Sequence, residues 1–172
     1  MSVRDILVWP DARLMQTCAP VAQIEPEIKT LAKDMLLTMY AALGRGLAAP
    51  QVGVLSRVFV MDTRWKEGKS DPLVCVNPML QEVSEERATT EEGCLSIPDQ
   101  YAEVVRPTEV EVSWLGLDGE THRERFDGLW ATCVQHEIDH LHGKLFIDYL
   151  KPLKRQMITR KMQKLKREKA RA

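Results

Sequence analysis

No two cysteines in this sequence stand at C-x-x-C spacing. Cys18, Cys75, Cys94 and Cys133 lie scattered along 172 residues. A chain of this length buries enough core to fold without disulfides. Reduced thiols in a cytosolic protein are the expectation. Long hydrophobic runs are missing too, and none approaches the roughly 20 apolar residues of a membrane span. The opening Met1-Ser2-Val3-Arg4-Asp5 carries an acid and leads straight into Ile6-Leu7-Val8, which is not the pattern of a signal peptide. A cytoplasmic protein with no membrane anchor is expected. No internal repeat and no domain boundary is visible. What is present, 44% hydrophobic and 28% charged residues, fits one soluble globular domain.

The net charge of -1 conceals an asymmetry. Ten Lys or Arg and one acid, Glu168, lie between Lys151 and Ala172, which leaves 14 basic and 24 acidic side chains in residues 1–150. The chain is an acidic body with a basic tail.

Residues 5–9 read as an extended start, and Pro10-Asp11 opens a turn or short helical turn that Ala19-Pro20 ends. From 26 to 43, Ile28, Leu31, Ala32, Met35, Leu36, Met39, Ala42 and Leu43 recur at helical spacing. Pro26 suits the first helical position and Gly44 the stop. Residues 44–53 form a loop of small residues in which Gln51 is the only amide. Such a loop permits close approach by a strand or a ligand. Residues 57–62 and 73–77 read as buried strands, with a surface loop between them and Cys75 as a core residue. Asn77-Pro78 turns into 79–83, and 84–87 is a charged turn.

Cys94 sits between Gly93 and Leu95, placed to end a strand at a site. Residues 104–107 lead into 109–114, where Val110, Val112 and Trp114 alternate with polar residues as in a half-buried strand. Asp118-Gly119 signals a hairpin, with 120–126 returning. A helix then starts at Asp127 or Gly128, takes Leu129, Cys133, Ile138 and Leu141 as its apolar positions, and ends at Gly143. Residues 146–150 are a short apolar exit. Pro152 opens a last helix with Leu153, Met157, Ile158, Met162 and Leu165 on one face. The fold class expected is α+β, with antiparallel or mixed sheets around a central helix and a C-terminal helix. Residues 1–150 would form the body and 151–172 a basic helix of the same domain.

The central helix carries Gln135-His136-Glu137-Ile138-Asp139-His140. Residues four apart share a helix face, so His136 and His140 can aim at one metal ion. Glu137 stands beside them, close enough to handle the proton of a water. Alone, H-E-x-x-H also describes an ordinary helix. A metal needs a third ligand and an open position. His142 and Asp148 are the downstream candidates, although His142 points to another side of a continuing helix. Upstream, Cys94 would complete a Cys-His-His set.

Three stretches together resemble the peptide deformylases, metal hydrolases that remove the N-formyl group from nascent proteins. Residues 44–51 are similar to the family's G-x-G-L-A-A-P-Q, residues 92–96 to E-G-C-L-S, and residues 135–140 to Q-H-E-x-D-H. The likeness runs from Trp9-Pro10-Asp11 to the basic C-terminus. It implies Cys94, His136 and His140 as metal ligands, with ferrous iron as the physiological ion and zinc, nickel or cobalt able to replace it. A thiolate and two imidazoles do not themselves choose among these ions. It implies Glu137 as general base and then acid, and the Gln51 amide with the Leu95 backbone N–H as the oxyanion hole.

The implied substrate is the formyl-methionyl end of a nascent chain. Cys133, Leu129 and Ile97 would line a pocket for the methionine, with plain core packing the alternative for Leu129. Gly46 and Gly93 would let the peptide backbone pair in strand fashion. Arg106 would pair with Glu92 in support of the ligands. Arg45 stands where the family commonly has a branched aliphatic residue, and Tyr101 where some members have arginine. Both bear on the cleft mouth, so a paralogue with altered substrate preference is the alternative.

The basic tail reads either as a solvated helix packed on the body or as a ribosome-docking element of a monomeric enzyme. Two rival readings are a zinc endopeptidase, which predicts a downstream third ligand, and a retired peptide- or ribosome-binding homologue, which would be expected to lack Glu137 or Gln51.

Overall fold

The computed structural model describes residues 1–172. Strands β1 (Gly46–Ala48), β2 (Val58–Met61), β3 (Leu73–Val83), β6 (Glu109–Leu115) and β7 (Thr121–Asp127) form one sheet in the order β1-β2-β3-β6-β7. Strands β4 (Arg87–Cys94) and β5 (Ile97–Pro107) form a separate two-stranded hairpin. Every pairing of these strands is antiparallel. Three helices complete the fold: α1 (Pro26–Ala41), α2 (Gly128–Leu141) and α3 (Pro152–Arg171).

The apolar pattern of each strand follows from what covers it. β2 reads Val-Phe-Val-Met and is wholly buried, because the sheet is covered on both sides there. Phe59 and Met61 pack with Val134, Ile138 and Leu141 of α2, while Val58 and Val60 pack with Leu31, Met35 and Met39 of α1. β6 alternates instead, with Val110, Val112 and Trp114 buried toward α2 and Glu109 left exposed. A further core joins Ile97, Ala102 and Val104 of β5 to Trp9, Phe146, Ile147, and Ile158 and Met162 of α3.

Several boundaries differ from the expectations, each for a local reason. α1 stops at Ala41, not at 43, and Leu43 rather than Gly44 takes the left-handed turn, with φ 58°. The N–H of Gly44 reaches the Met39 carbonyl at 2.9 Å and that of Leu43 the Tyr40 carbonyl at 3.0 Å, a Schellman closure. A Cβ on Gly44 would stand 2.6 Å from Leu95 Cδ1, so the Leu95 side chain packs where a larger residue would reach. The small-residue loop contains the short strand β1 and a 3-10 turn over Ala49–Val52. Residues 5–9 form no strand. They act as a strap, the N–H groups of Leu7 and Trp9 donating to the carbonyls of Gln51 at 2.7 Å and Ser96 at 2.8 Å.

Asn77-Pro78 does not separate two strands. β3 runs through it with a register shift between Val76 and Met79, where proline has no N–H to offer the ladder. β5 extends well upstream of residue 104. Its buried positions are Ile97, Ala102, Val104 and Arg106, and a small residue and a cation on the inward face disguise the alternation. In α3 only Ile158 and Met162 are buried, whereas Leu153 and Met157 are exposed. The stripe is narrower than the list of apolar residues, because residues 157 and 158 lie about 100° apart around the helix.

Asn77 has φ 48°, and its side chain both donates to the Val21 carbonyl and accepts from the Val21 N–H, at 2.8 Å each. Asn77→Ala removes both bonds and leaves a Cβ-bearing residue without local support in the left-handed region. It should cost about 3 kcal/mol in urea denaturation, and Asn77→Gly about 1 kcal/mol less. Equal losses in the two variants would show that the backbone conformation carries no cost.

Candidate active site

α2 presents two faces. Val134, Ile138 and Leu141 enter the core under the sheet, and His136, Glu137 and His140 turn toward the β4–β5 hairpin and β1. Cys94, at the end of β4, completes a group whose ligand atoms, the Cys94 Sγ and one ring nitrogen from each of His136 and His140, all lie within 4.8 Å of one another. Cys94 Sγ is 3.3 Å from His140 Nε2, which is 3.2 Å from His136 Nε2. Three lone-pair donors facing one another at such distances suit a cation between them. His136 Nδ1 lies 3.0 Å from Glu92 Oε1, so the proton belongs on Nδ1 and the lone pair on Nε2, toward the other two ligands. His142 lies outside this group and approaches Arg57 at 3.4 Å. Asp148 is occupied by the Leu145 N–H at 2.9 Å and by Arg155 at 2.9 Å. Neither downstream candidate joins the cluster, which removes the ligand set that a zinc endopeptidase reading required.

Behind the ligands is a buried ionic network. Arg106 Nε and Nη2 donate to the two Glu92 oxygens at 2.6 and 2.9 Å, and Nη1 donates to Asp139 at 2.9 Å. Tyr149 donates to the same Asp139 oxygen at 2.8 Å, and the guanidinium lies 4.8 Å from the centre of the Tyr149 ring. Burial alone would raise the Glu92 pKa, but hydrogen bonds from Arg106 and His136 bring it down to about 2. Glu137 is the opposite case. Burial pushes it up to about 7, and its Oε2 has no hydrogen-bond partner. Burial first, and the Arg106 charge with it, hold His140 well below its ordinary value.

A cleft of about 470 Å³ opens onto these groups. All the residues singled out from the sequence line it except His140, which lies beneath, and Arg106, which lies behind. Gln51 Oε1 accepts the Ala48 N–H at 2.9 Å, which turns its Nε2 toward Ser96 Oγ at 3.0 Å and Cys94 Sγ at 3.5 Å. Leu95 follows Cys94 in the hairpin turn. Ile97 is fully buried at the floor, and Leu129 and Tyr101 are 48% and 62% exposed at the mouth. The Cys133 thiol is pushed up by burial first and the Glu137 carboxylate next, and it packs against β1. Arg45 lies on the rim, with its Nε donating to the Thr63 carbonyl at 3.0 Å.

The two cleft glycines serve the protein's own packing. A Cβ on Gly46 would stand 2.5 Å from Glu137 Oε1 and 2.9 Å from Cys133 Sγ, and one on Gly93 would stand 2.7 Å from the Tyr101 ring. β1 is nonetheless the terminal strand of its sheet, so Gly46 sits on an unpaired edge. Sequence reading missed Ser96, Asp139 and Tyr149. Asp139 lies within the Q-H-E-x-D-H stretch and could have been found there. Ser96 likewise closes the E-G-C-L-S stretch, whereas Tyr149 carries no signal apart from its partners.

Comparison with known proteins agrees in extent as well as in kind. Residues 3–156 match the family model described as polypeptide deformylase. The chain is 52% identical to a peptide deformylase of Afipia carboxidovorans over 95% of its own length and 96% of that protein's. It is also 52% identical to one of Alkalilimnicola ehrlichii, over 98% and 93%. Its fold superposes on a Legionella pneumophila peptide deformylase with TM-score 0.91 at 45% identity, covering 99% of both chains. The Ehrlichia chaffeensis enzyme in complex with actinonin gives TM-score 0.93 at 38% identity, covering 97% and 99%.

The Glu92–Arg106 pair is buried on both sides, with side chains 4% and 5% exposed. Removing one partner strands the other's charge, so Glu92→Leu and Arg106→Met should each cost about 3–5 kcal/mol. The double variant should cost clearly less than the sum, with a coupling of about 2 kcal/mol or more in a urea-denaturation cycle. Additive losses would mean the two side chains act separately.

Proposed function

The chain belongs to the polypeptide deformylase family, and from that premise we propose that it hydrolyses the N-formyl group from the formyl-methionine end of nascent polypeptides, releasing formate. The observation that carries this reading is the convergence, on one cleft floor, of Cys94, His136 and His140 with a partner-free carboxyl oxygen of Glu137. The donor set fits a divalent ion, and Cys94, His136 and His140 would hold it. Ferrous iron is the ion proposed, with zinc, nickel or cobalt able to replace it. When bound, such an ion acidifies water and polarises an amide oxygen.

The chain's own residues do the rest. The formyl-methionine side chain enters the pocket lined by Ile97, Leu129 and Cys133. The peptide lies extended against the β1 edge at Gly46 and pairs with its backbone, with Gly93 on the facing strand. Glu137 takes a proton from the attacking water and passes it to the departing amine, which leaves as a free N-terminus. Charge growing on the formyl oxygen meets the Gln51 Nε2–H and the Leu95 N–H. The Ala48 N–H holds the Gln51 amide in the orientation this requires, because an amide turned around would place its oxygen there. Glu92 fixes the His136 ring, and Arg106 fixes Glu92.

Formate release from formyl-Met-Ala-Ser, measured anaerobically with ferrous iron, tests this. The wild type should turn the peptide over. Glu137→Ala should retain the metal and lose about a hundredfold to ten-thousandfold in kcat, and Cys94→Ala should lose metal and activity together. No release by metal-loaded wild type would defeat the reading.

No helix is long and apolar enough to cross a membrane. The basic helix α3 is proposed to dock on the ribosome, because nearly all its lysines and arginines are exposed and rRNA attracts such charge in a salt-dependent way. Deleting α3 would also remove Ile158 and Met162 from the core, so charge reversal is the cleaner test. Lys154→Glu, Lys161→Glu and Lys164→Glu together should abolish co-sedimentation with ribosomes at low salt while thermal stability holds. Unchanged binding would sink the idea.

A further inference from the structure

Two cations on one wall of the cleft have no counter-ion. Arg45 and Lys66 both line it, and neither enters any ion pair of the structure. Arg45 is anchored by its side chain and Lys66 by its backbone. Arg45 is fixed through Nε to the Thr63 carbonyl, which leaves its terminal nitrogens unused by the protein. Lys66 rides on a 3-10 turn, Trp65–Glu67. That turn is tied to the cleft lip by Trp65 Nε1 donating to the Gly44 carbonyl at 2.8 Å, and Tyr40 packs edge-on to the Trp65 ring at 5.2 Å. Loss of hydration and then the nearby Arg45 guanidinium hold the Lys66 ammonium below its ordinary value, as two cations facing one space should. The nearby acid Asp62 forms no ion pair with either cation; its Oδ2 accepts from Tyr40, Ser70 and the Asp71 N–H. The carboxylates that do line the cleft rim, Glu91 and Asp99, belong to the hairpin on the other side.

We propose that Arg45 and Lys66 form a specificity site that selects formyl peptides bearing an acidic side chain at one of the two positions after the formyl-methionine. This rests on the deformylase reading and deepens it. A peptide extended along β1 from the methionine pocket carries successive side chains to opposite sides. One of the two side chains therefore points out to the rim, where Arg45 and Lys66 stand, and the other points to the opposite face of the paired strands. A carboxylate on the first kind of position meets two unpaired cations, Arg45 anchored through its Nε and the exposed Lys66 beside it.

The test uses full-length, iron-loaded enzyme and formate release at low salt from formyl-Met-X-Ala-Ser and formyl-Met-Ala-X-Ser, with X either Glu or Lys. At one of the two positions, kcat/KM for Glu should exceed that for Lys by about fivefold or more. That ratio should shrink toward one in 0.5 M KCl, as screening requires. It should fall below one in the Arg45→Glu/Lys66→Glu variant. Because the readout is a ratio within one enzyme preparation, a general loss of activity does not move it. Ratios at or below one at both positions in the wild type would overturn the inference, as would a ratio that the variant leaves unchanged. In either case turnover of formyl-Met-Ala-Ser would leave the deformylase reading standing. Absence of turnover on every peptide would overturn both.

Discussion

The Arg106 guanidinium holds the site together. It starts from β5, grips both oxygens of Glu92 on β4, reaches Asp139 on α2 and lies over the ring of Tyr149. Backbone pairing and this cation join the two strands of the hairpin, and the cation, the His136–Glu92 bond and the Gln135 bond to the Pro107 carbonyl tie them to the helix. A buried guanidinium costs several kcal/mol of hydration, and ideal bidentate geometry is what offsets it. The arrangement therefore tolerates little displacement. Cys94 comes two residues after Glu92, and His136 hydrogen-bonds to Glu92 directly. The thiol and the imidazole that must meet are thus set from a single carboxylate, although 42 positions in the sequence separate them.

The remaining members arrive from the other side of α2. Gln51 stands at the end of the short 3-10 turn after β1, and the N-terminal strap pins that turn through the Leu7 bond to the Gln51 carbonyl. The same strap holds the Ser96 carbonyl through Trp9, so one extended segment positions both the amide and the turn after Cys94. α2 itself is fixed by its core face, through contacts between Val134, Ile138 and Leu141 and the sheet residues Phe59 and Met61. Helical period does the rest. With 3.6 residues per turn, a helix anchored along one stripe has its opposite stripe aimed without further support. His136 and His140 lie on that opposite stripe.

Much of this was legible in the residues. The two histidines needed only the four-residue spacing, and Cys94 needed its glycine-flanked place after two acids. β6 and the hairpin turn at Gly119 followed from alternation and turn chemistry. β5 was not legible, because its inward positions include Arg106, and a buried cation reads as a surface residue until its partners are known. The packing of α3 was overstated for a related reason. Leu153 and Met157 are apolar but face water, and composition cannot say which stripe of a basic helix meets a core. The glycines were read as openings for a ligand. In the structure Glu137, Cys133 and Tyr101 occupy the space that side chains on Gly46 and Gly93 would take, something only a three-dimensional neighbour reveals.

Two buried glutamates flank the ligand helix, and hydrogen bonding separates what each can do. Glu92 has its oxygens engaged by Arg106 and His136. A carboxylate so occupied has no capacity to accept a further proton from solvent without breaking the network that seats His136. Glu137 lines the cleft and has a buried Oε2 with no partner. An unsatisfied buried oxygen is costly in a finished fold, and its persistence is explained if a substrate or its water completes it. One acid serves structure because it is satisfied, and the other is available for chemistry because it is not. Arg45 and Lys66 carry the same reasoning to the rim, where two cations that line the cleft are left without an ion-pair partner, unlike the buried Arg106 behind it.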